Sequence, residues 1–187
     1  MKHEALATDL YQLTMAGGHF ARGRHERKVS FELFARRLPG CRRYLVAAGL
    51  QRCLDYLRYL RFDRAQLEYL QRVQGLRGTL DFEMVEYLSE FRFRGDVWAV
   101  PEGTVVFENE PILRVTGTLL ETQLIETYLL SGINCETTAA SKAARVVTAA
   151  DGRPLLEFGT RRTAPEDAVA CARAAYLAGF SATSNVE

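Results

Sequence analysis

With 187 residues the chain is long enough to bury a sizeable core as one domain, or one domain plus a smaller module, without relying on disulfide or metal staples. Its composition, 48% hydrophobic and 25% charged, is that of a globular protein, and a formal net charge of +1 excludes any general attraction to nucleic acid or to an anionic membrane. No apolar run approaches about 18 residues, and no apolar h-region follows Met1-Lys2-His3-Glu4, so a cytoplasmic protein that neither spans a membrane nor is secreted is expected. Cys41, Cys53, Cys135 and Cys171 have no CxxC spacing and read as reduced, buried thiols.

Thr8-Asp9 offers N-cap side chains to Leu10-Tyr11-Gln12-Leu13-Thr14-Met15-Ala16, which predicts a short helix ended by Gly17-Gly18. The basic stretch from Arg22 to Lys28 reads as a solvated connection. Val29 to Ala35 alternates apolar and polar residues as a half-buried strand does, with Pro39-Gly40 closing it. From Arg43 to Leu60 the spacing turns helical, with Val46, Leu50, Leu54 and Leu57 on one stripe. Shorter helices are predicted at Arg64 to Val73, through Leu67 and Leu70, and at Phe82 to Phe91, through Phe82, Val85 and Leu88.

Residues 95–119 are β-rich. Val97 to Val100, Val105 to Phe107 and Ile112 to Gly117, separated by Pro, Gly and Asn, predict an antiparallel meander with Trp98 packed in it. Helices are expected at Leu120 to Leu130 and at Asn134 to Ala150, the second rich in Ala, Ser and Thr and therefore packed closely on a neighbour, with Lys142 and Arg145 in solvent. Asp151-Gly152-Arg153-Pro154 is a turn. Leu155-Leu156-Glu157-Phe158 then reads as a buried strand that breaks at Gly159 into Thr160-Arg161-Arg162.

Thr163-Ala164-Pro165-Glu166 has capping-box spacing and starts a helix that ends at Gly179. Phe180 to Asn185 begins another strand, which completes a βαβ unit. A strand, a Gly turn and a helix N-terminus is where α/β proteins hold anions, and two planar, permanently charged arginines stand there. The pair reads as an anion site or as ordinary solvated cations, and Glu166 and Asp167 already compensate the helix dipole. Phe158 fits either a wall for a flat aromatic acid or core. His3, His19 and His25 have no metal-ligand spacing, and hydrolase-elbow, P-loop and dinucleotide motifs are missing from the sequence. The polar residues at strand ends, Arg161, Arg162, Thr183, Ser184 and Asn185, remain as the candidate site.

Thr8 to Met15, Gly95 to Pro101, Glu121 to Asn134, Ser141-Lys142-Ala143-Ala144-Arg145, Glu157 to Arg162 and Thr183-Ser184-Asn185-Val186 together resemble the nicotinate phosphoribosyltransferase family, in register along nearly the whole chain. The resemblance implies the N-terminal half of such an enzyme. Its fold would be α/β, of the type II phosphoribosyltransferase architecture, with an N-terminal α/β domain over 1–150 and, over 151–187, the first βα elements of an irregular α/β barrel left incomplete in this chain. It also implies formation of nicotinate mononucleotide from nicotinate and phosphoribosyl pyrophosphate, with ATP hydrolysis and magnesium, for NAD biosynthesis in a cytoplasmic homodimer.

By the same resemblance Tyr11, with Asp9 beside it, reaches the pyridine ring across the dimer interface. Phe158 stacks on the other ring face, and Arg161 contacts the phosphates of phosphoribosyl pyrophosphate. Ser184 stands where nicotinamide-using relatives carry an aspartate, which suits a carboxylate substrate because an anion there would repel it. Thr163-Ala164-Pro165 departs from the family pattern in the loop. The phosphorylated histidine of the family lies beyond Glu187, so no catalytic residue is expected within the chain. The isolated chain is expected to be inactive, with a binding or structural fragment, or a nicotinamide-preferring relative, as the alternatives.

Overall fold

The computed structural model describes residues 4–38 and 40–186. His3, and the Pro39 half of the expected Pro-Gly turn, lie outside the described residues. The strands are β1 (Lys28–Phe34), β2 (Leu45–Val46), β3 (Asp96–Ala99), β4 (Val105–Val106), β5 (Pro111–Thr118), β6 (Leu156–Glu157) and β7 (Ala182–Thr183). The helices are α1 (Leu10–Phe20), α2 (Leu50–Tyr59), α3 (Arg64–Arg72), α4 (Phe82–Ser89), α5 (Leu119–Ala150) and α6 (Pro165–Leu177), with 3₁₀ turns at Glu4–Leu6, Gln74–Leu76 and Thr160–Arg162. Among the described residues three sheets form: one in the order β1-β5-β3, an antiparallel pair β2-β4 and a parallel pair β6-β7.

Two compact units divide the chain. The first is Met1–Glu32, Cys53–Trp98 and Arg114–Leu130; the second is Leu33–Arg52, Ala99–Leu113 and Ser131–Glu187. The first has a core of large side chains, with Leu76, Met84, Leu88, Leu120 and Ile125 all but inaccessible. Asp63 and Asp81 start α3 and α4 by accepting from the backbone N–H of Gln66 and Met84 at 2.8 Å each, so the charge sits where the helix dipole favours it. The core of the second unit is built on small residues: Val46 and Ala48 meet Ala140 of α5 and Ala174 of α6. Thr137 and Ser141 of α5 accept from the backbone N–H groups of Ala48 and Val46, at 3.1 Å and 2.9 Å. The Ala, Ser and Thr content of α5 therefore does what close packing requires, while Lys142 and Arg145 are exposed.

Several expectations are corrected. Gly17-Gly18 does not end α1, which runs on to Phe20; Gly17 is there because a Cβ would collide with Thr79. The helix expected from Arg43 starts only at Leu50, since Gly49 has φ +99° and Val46 pairs in β2 with Val105. Leu54 of α2 is exposed, and the helix buries Cys53, Tyr56 and Leu57 instead. Phe82, the first residue after its cap, is 79% exposed, and Met84 and Leu88 face the core.

The meander is also replaced, because β4 leaves its sequence neighbours to pair with β2. Trp98 is 70% exposed, since Val97 alone in β3 is turned even partly inward. The two helices expected at 120–150 are one, α5, of 32 residues, with Gly132 inside it. None of the four cysteines forms a disulfide, but Cys41 is exposed and Cys135 and Cys171 are half-buried, so of the four only Cys53 is a buried thiol.

Candidate functional site

In the second unit β6 and β7 run parallel with Leu156 opposite Ala182 and Glu157 opposite Thr183. The helix α6 joins them, which makes the expected βαβ unit, and the register brings Phe158 and Ser184 to the same, C-terminal end of the pair. Strand β6 is shorter than the apolar run suggested and is not buried, with Leu156 55% exposed. Phe158 is 67% exposed rather than packed in a core. Arg161 and Arg162 are exposed in a 3₁₀ turn rather than an open loop, tightened by the Arg162 N–H donating to the Gly159 carbonyl at 2.7 Å. Among the described residues neither guanidinium has a carboxylate partner.

The capping box is absent too: Ala164 is the N-cap of α6, with Pro165 in its first turn, and the Thr163 hydroxyl lies 4.0 Å from the Cys171 thiol. The first-turn carboxylate of Asp167 is taken up by Arg52 at 2.8 Å.

Glu157 organises this end of the strands, a part sequence reasoning missed. Its carboxylate accepts from the Gly159 N–H and, at 2.9 Å, from the Thr183 hydroxyl, and its carbonyl accepts from the Ser184 N–H at 2.9 Å. The Asn185 N–H donates to the Thr183 hydroxyl at 3.0 Å. Thr183 thus links the two strand ends, and both it and Ser184 are exposed. A carboxylate inside the apolar run LLEF was the available signal, since an acid in a strand needs donors near it.

In the first unit Asp9 and Tyr11 stand at the start of α1. Asp9 is the N-cap by position, yet its side chain makes no cap bond and instead accepts from the Thr127 hydroxyl of α5 at 3.1 Å. Tyr11 is 52% exposed, and its hydroxyl accepts from the Gln12 amide at 3.0 Å. Gln12 itself is wholly buried and also donates to Glu126 at 3.0 Å. Two adjacent α5 residues therefore tether this motif, and Gln12, Glu126 and Thr127 were not singled out in the sequence.

A family model described as the nicotinate phosphoribosyltransferase N-terminal domain matches residues 6–134. The chain belongs to that family. A nicotinate phosphoribosyltransferase of Mycobacterium tuberculosis is 48% identical over 184 residues, 97% of this chain and 38% of that protein. One of Bacillus subtilis is 46% identical over 183 residues, 97% of this chain and 36% of that protein. The chain thus spans under two-fifths of the length of the curated relatives it matches. The crystal structure of human nicotinic acid phosphoribosyltransferase superposes with a TM-score of 0.87 at 38% identity, over 96% of this chain and 36% of that one.

A nicotinate-nucleotide pyrophosphorylase from Pyrococcus furiosus shares the fold, with a TM-score of 0.76 at 24% identity over all of this chain and 40% of that one. The type II phosphoribosyltransferase fold implied by the resemblance is the fold found. Among the described residues no helix is long and apolar enough to cross a membrane, and no three His, Cys, Asp or Glu side chains gather as a metal site, so no magnesium ligand is assigned here.

Proposed function

We propose that the chain serves a nicotinate phosphoribosyltransferase, which joins nicotinate to phosphoribosyl pyrophosphate and releases nicotinate mononucleotide and pyrophosphate for NAD biosynthesis. The observation that carries this reading is the register of β6 and β7, which sets an exposed aromatic ring, Phe158, level with the small neutral Ser184 at one strand end. Phe158 is assigned to one face of the pyridine ring, and Ser184 to a position whose own side chain sets no charge against a carboxylate ligand. Arg161 is assigned to the phosphates of phosphoribosyl pyrophosphate, with Arg162 beside it and Asn185 at the neighbouring strand end. Tyr11, backed by Asp9, supplies the opposite face of the ring from the second subunit of a homodimer.

In this reading residues 1–150 form the N-terminal domain and 151–187 open the barrel, and the reaction draws on ATP and magnesium in the cytoplasm. Charge separates at the ribose C1, so cationic and hydrogen-bonding groups fixed around the phosphates lower the barrier more than they stabilise the ground state.

The test is titration of the purified chain with nicotinate and with nicotinamide, followed by an assay for nicotinate mononucleotide with ATP, magnesium and phosphoribosyl pyrophosphate. Saturable nicotinate binding that is lost in Phe158→Ala supports the site. Binding without turnover assigns the chain a binding role; tighter nicotinamide binding would make it a nicotinamide-preferring relative, and no binding of either ligand overturns the assignment.

A further inference from the structure

Gln12 occupies a place where a glutamine is costly. It has no accessible surface within α1, and its Oε1 has no hydrogen-bond partner among the described residues. Its Nε2, by contrast, has two partners, Glu126 Oε2 and Tyr11 Oη, each at 3.0 Å. An ionised carboxylate only accepts, so Glu126 requires the NH2 end of the amide to face it. The second hydrogen of that same NH2 group then points at the tyrosine oxygen. Tyr11 Oη is therefore an acceptor on its buried side, and the hydrogen of the hydroxyl is left for the outer side, where the residue is 52% exposed.

We infer that Gln12, fixed by Glu126, is a positioning residue that turns the Tyr11 hydroxyl into a hydrogen-bond donor toward the carboxylate of a pyridine carboxylic acid. The inference rests on the assignment of Tyr11 to the pyridine site. It deepens that assignment from ring contact to selection of the acid, because a hydroxyl donates more strongly to an anionic acceptor than to a neutral amide oxygen. The Asp9–Thr127 bond holds the start of α1 on the residue next to Glu126, so the donor direction is set by the helix as well as by the side chain.

The experiment reverses the polarity while keeping shape and charge. In the double variant Gln12→Glu with Glu126→Gln, the carboxylate lies beside Tyr11 and accepts from it, which turns the hydroxyl hydrogen inward. Nicotinate affinity, by calorimetry on the full chain, is expected to fall about 10-fold, as a lost hydrogen bond to a charged group does, with nicotinamide affinity changed less. Tyr11→Phe is expected to lose as much, and the swap made in the Tyr11→Phe background to lose nothing further. The ¹³Cζ resonance of Tyr11, which reports the hydroxyl without any ligand, is expected to shift in the swap. An unmoved resonance, or unchanged nicotinate affinity in the swap alongside a loss in Tyr11→Phe, overturns the inference alone. No loss in Tyr11→Phe overturns the assignment of Tyr11 beneath it.

Discussion

Arg173 of α6 grips the Glu102 carboxylate with both arms of its guanidinium, Nη1 lying 3.0 Å from Oε1. The same carboxylate oxygen accepts from the backbone N–H of Gly49 and Leu50, at 2.8 Å and 3.1 Å, and so caps the start of α2. The Arg173 hydrogen bond, above all, holds the Glu102 carboxyl below its ordinary value of 4.5. Glu136, 3.6 Å from Arg173, is raised from 4.5 by burial, in spite of the Arg173 and Arg52 charges.

These two acids pull stability in opposite directions with pH. Glu102, depressed on folding, contributes stability that is present above its unfolded value and lost as pH falls through the folded one. Glu136, raised on folding, contributes stability that is present below its unfolded value and lost as pH rises through the folded one. Glu136→Gln should therefore gain stability relative to the parent as pH is raised from about 4 to about 7, read from urea midpoints. Arg173→Met should cost about 2–3 kcal/mol at neutral pH, because it takes from Glu102 its bidentate partner and from Glu136 the nearer of two cations. A Glu136→Gln difference that does not change with pH would contradict the burial argument.

Gly49 should not tolerate a side chain. Its φ is +99°, and a Cβ would stand 2.8 Å from the Gly132 carbonyl oxygen and 3.2 Å from the Ile133 Cα, both backbone atoms of α5 that cannot move aside cheaply. Gly49→Ala is expected to lose about 2 kcal/mol or more, combining an unfavourable backbone region with overpacking. Its urea midpoint should drop at unchanged slope. A loss within about 0.5 kcal/mol would show that the two backbones are not in close contact.

Trp98 is the single tryptophan of the chain, so intrinsic emission reports one place. With 70% of its surface accessible, the folded chain should emit close to free indole in water and be quenched by acrylamide almost as readily. Unfolding should shift the spectrum little. A blue-shifted, protected tryptophan would contradict the placement of β3.

Periodicity carried β1, α3, α6 and the β6–α6–β7 unit into the sequence reading, because each is a local pattern with its own start or stop signal. Partnership did not show. Val46 reads as helix by spacing, and only its pairing with Val105, far along the chain, makes it strand. Gly17 reads as a stop, and only the Thr79 contact makes it a spacer. The exposed candidates Tyr11, Phe158, Arg161, Arg162 and Ser184 were legible through their motifs. The polar residues that hold the site's elements, buried Gln12 and half-buried Glu126 and Glu157, were not, because their meaning lies in a hydrogen-bond partner rather than in a spacing.

The tether of α1 to α5 has a kinetic side. Gln12 and Glu126 are 114 positions apart, and Asp9 and Thr127 are 118 apart. Neither bond can form until most of the intervening chain has been made and closed into a loop, so the Tyr11 hydroxyl acquires its direction late in folding, after α1 itself can exist. A peptide containing α1 alone would display the tyrosine but not its aim. Transplanting the motif into another scaffold would require carrying over the matching face of α5 as well.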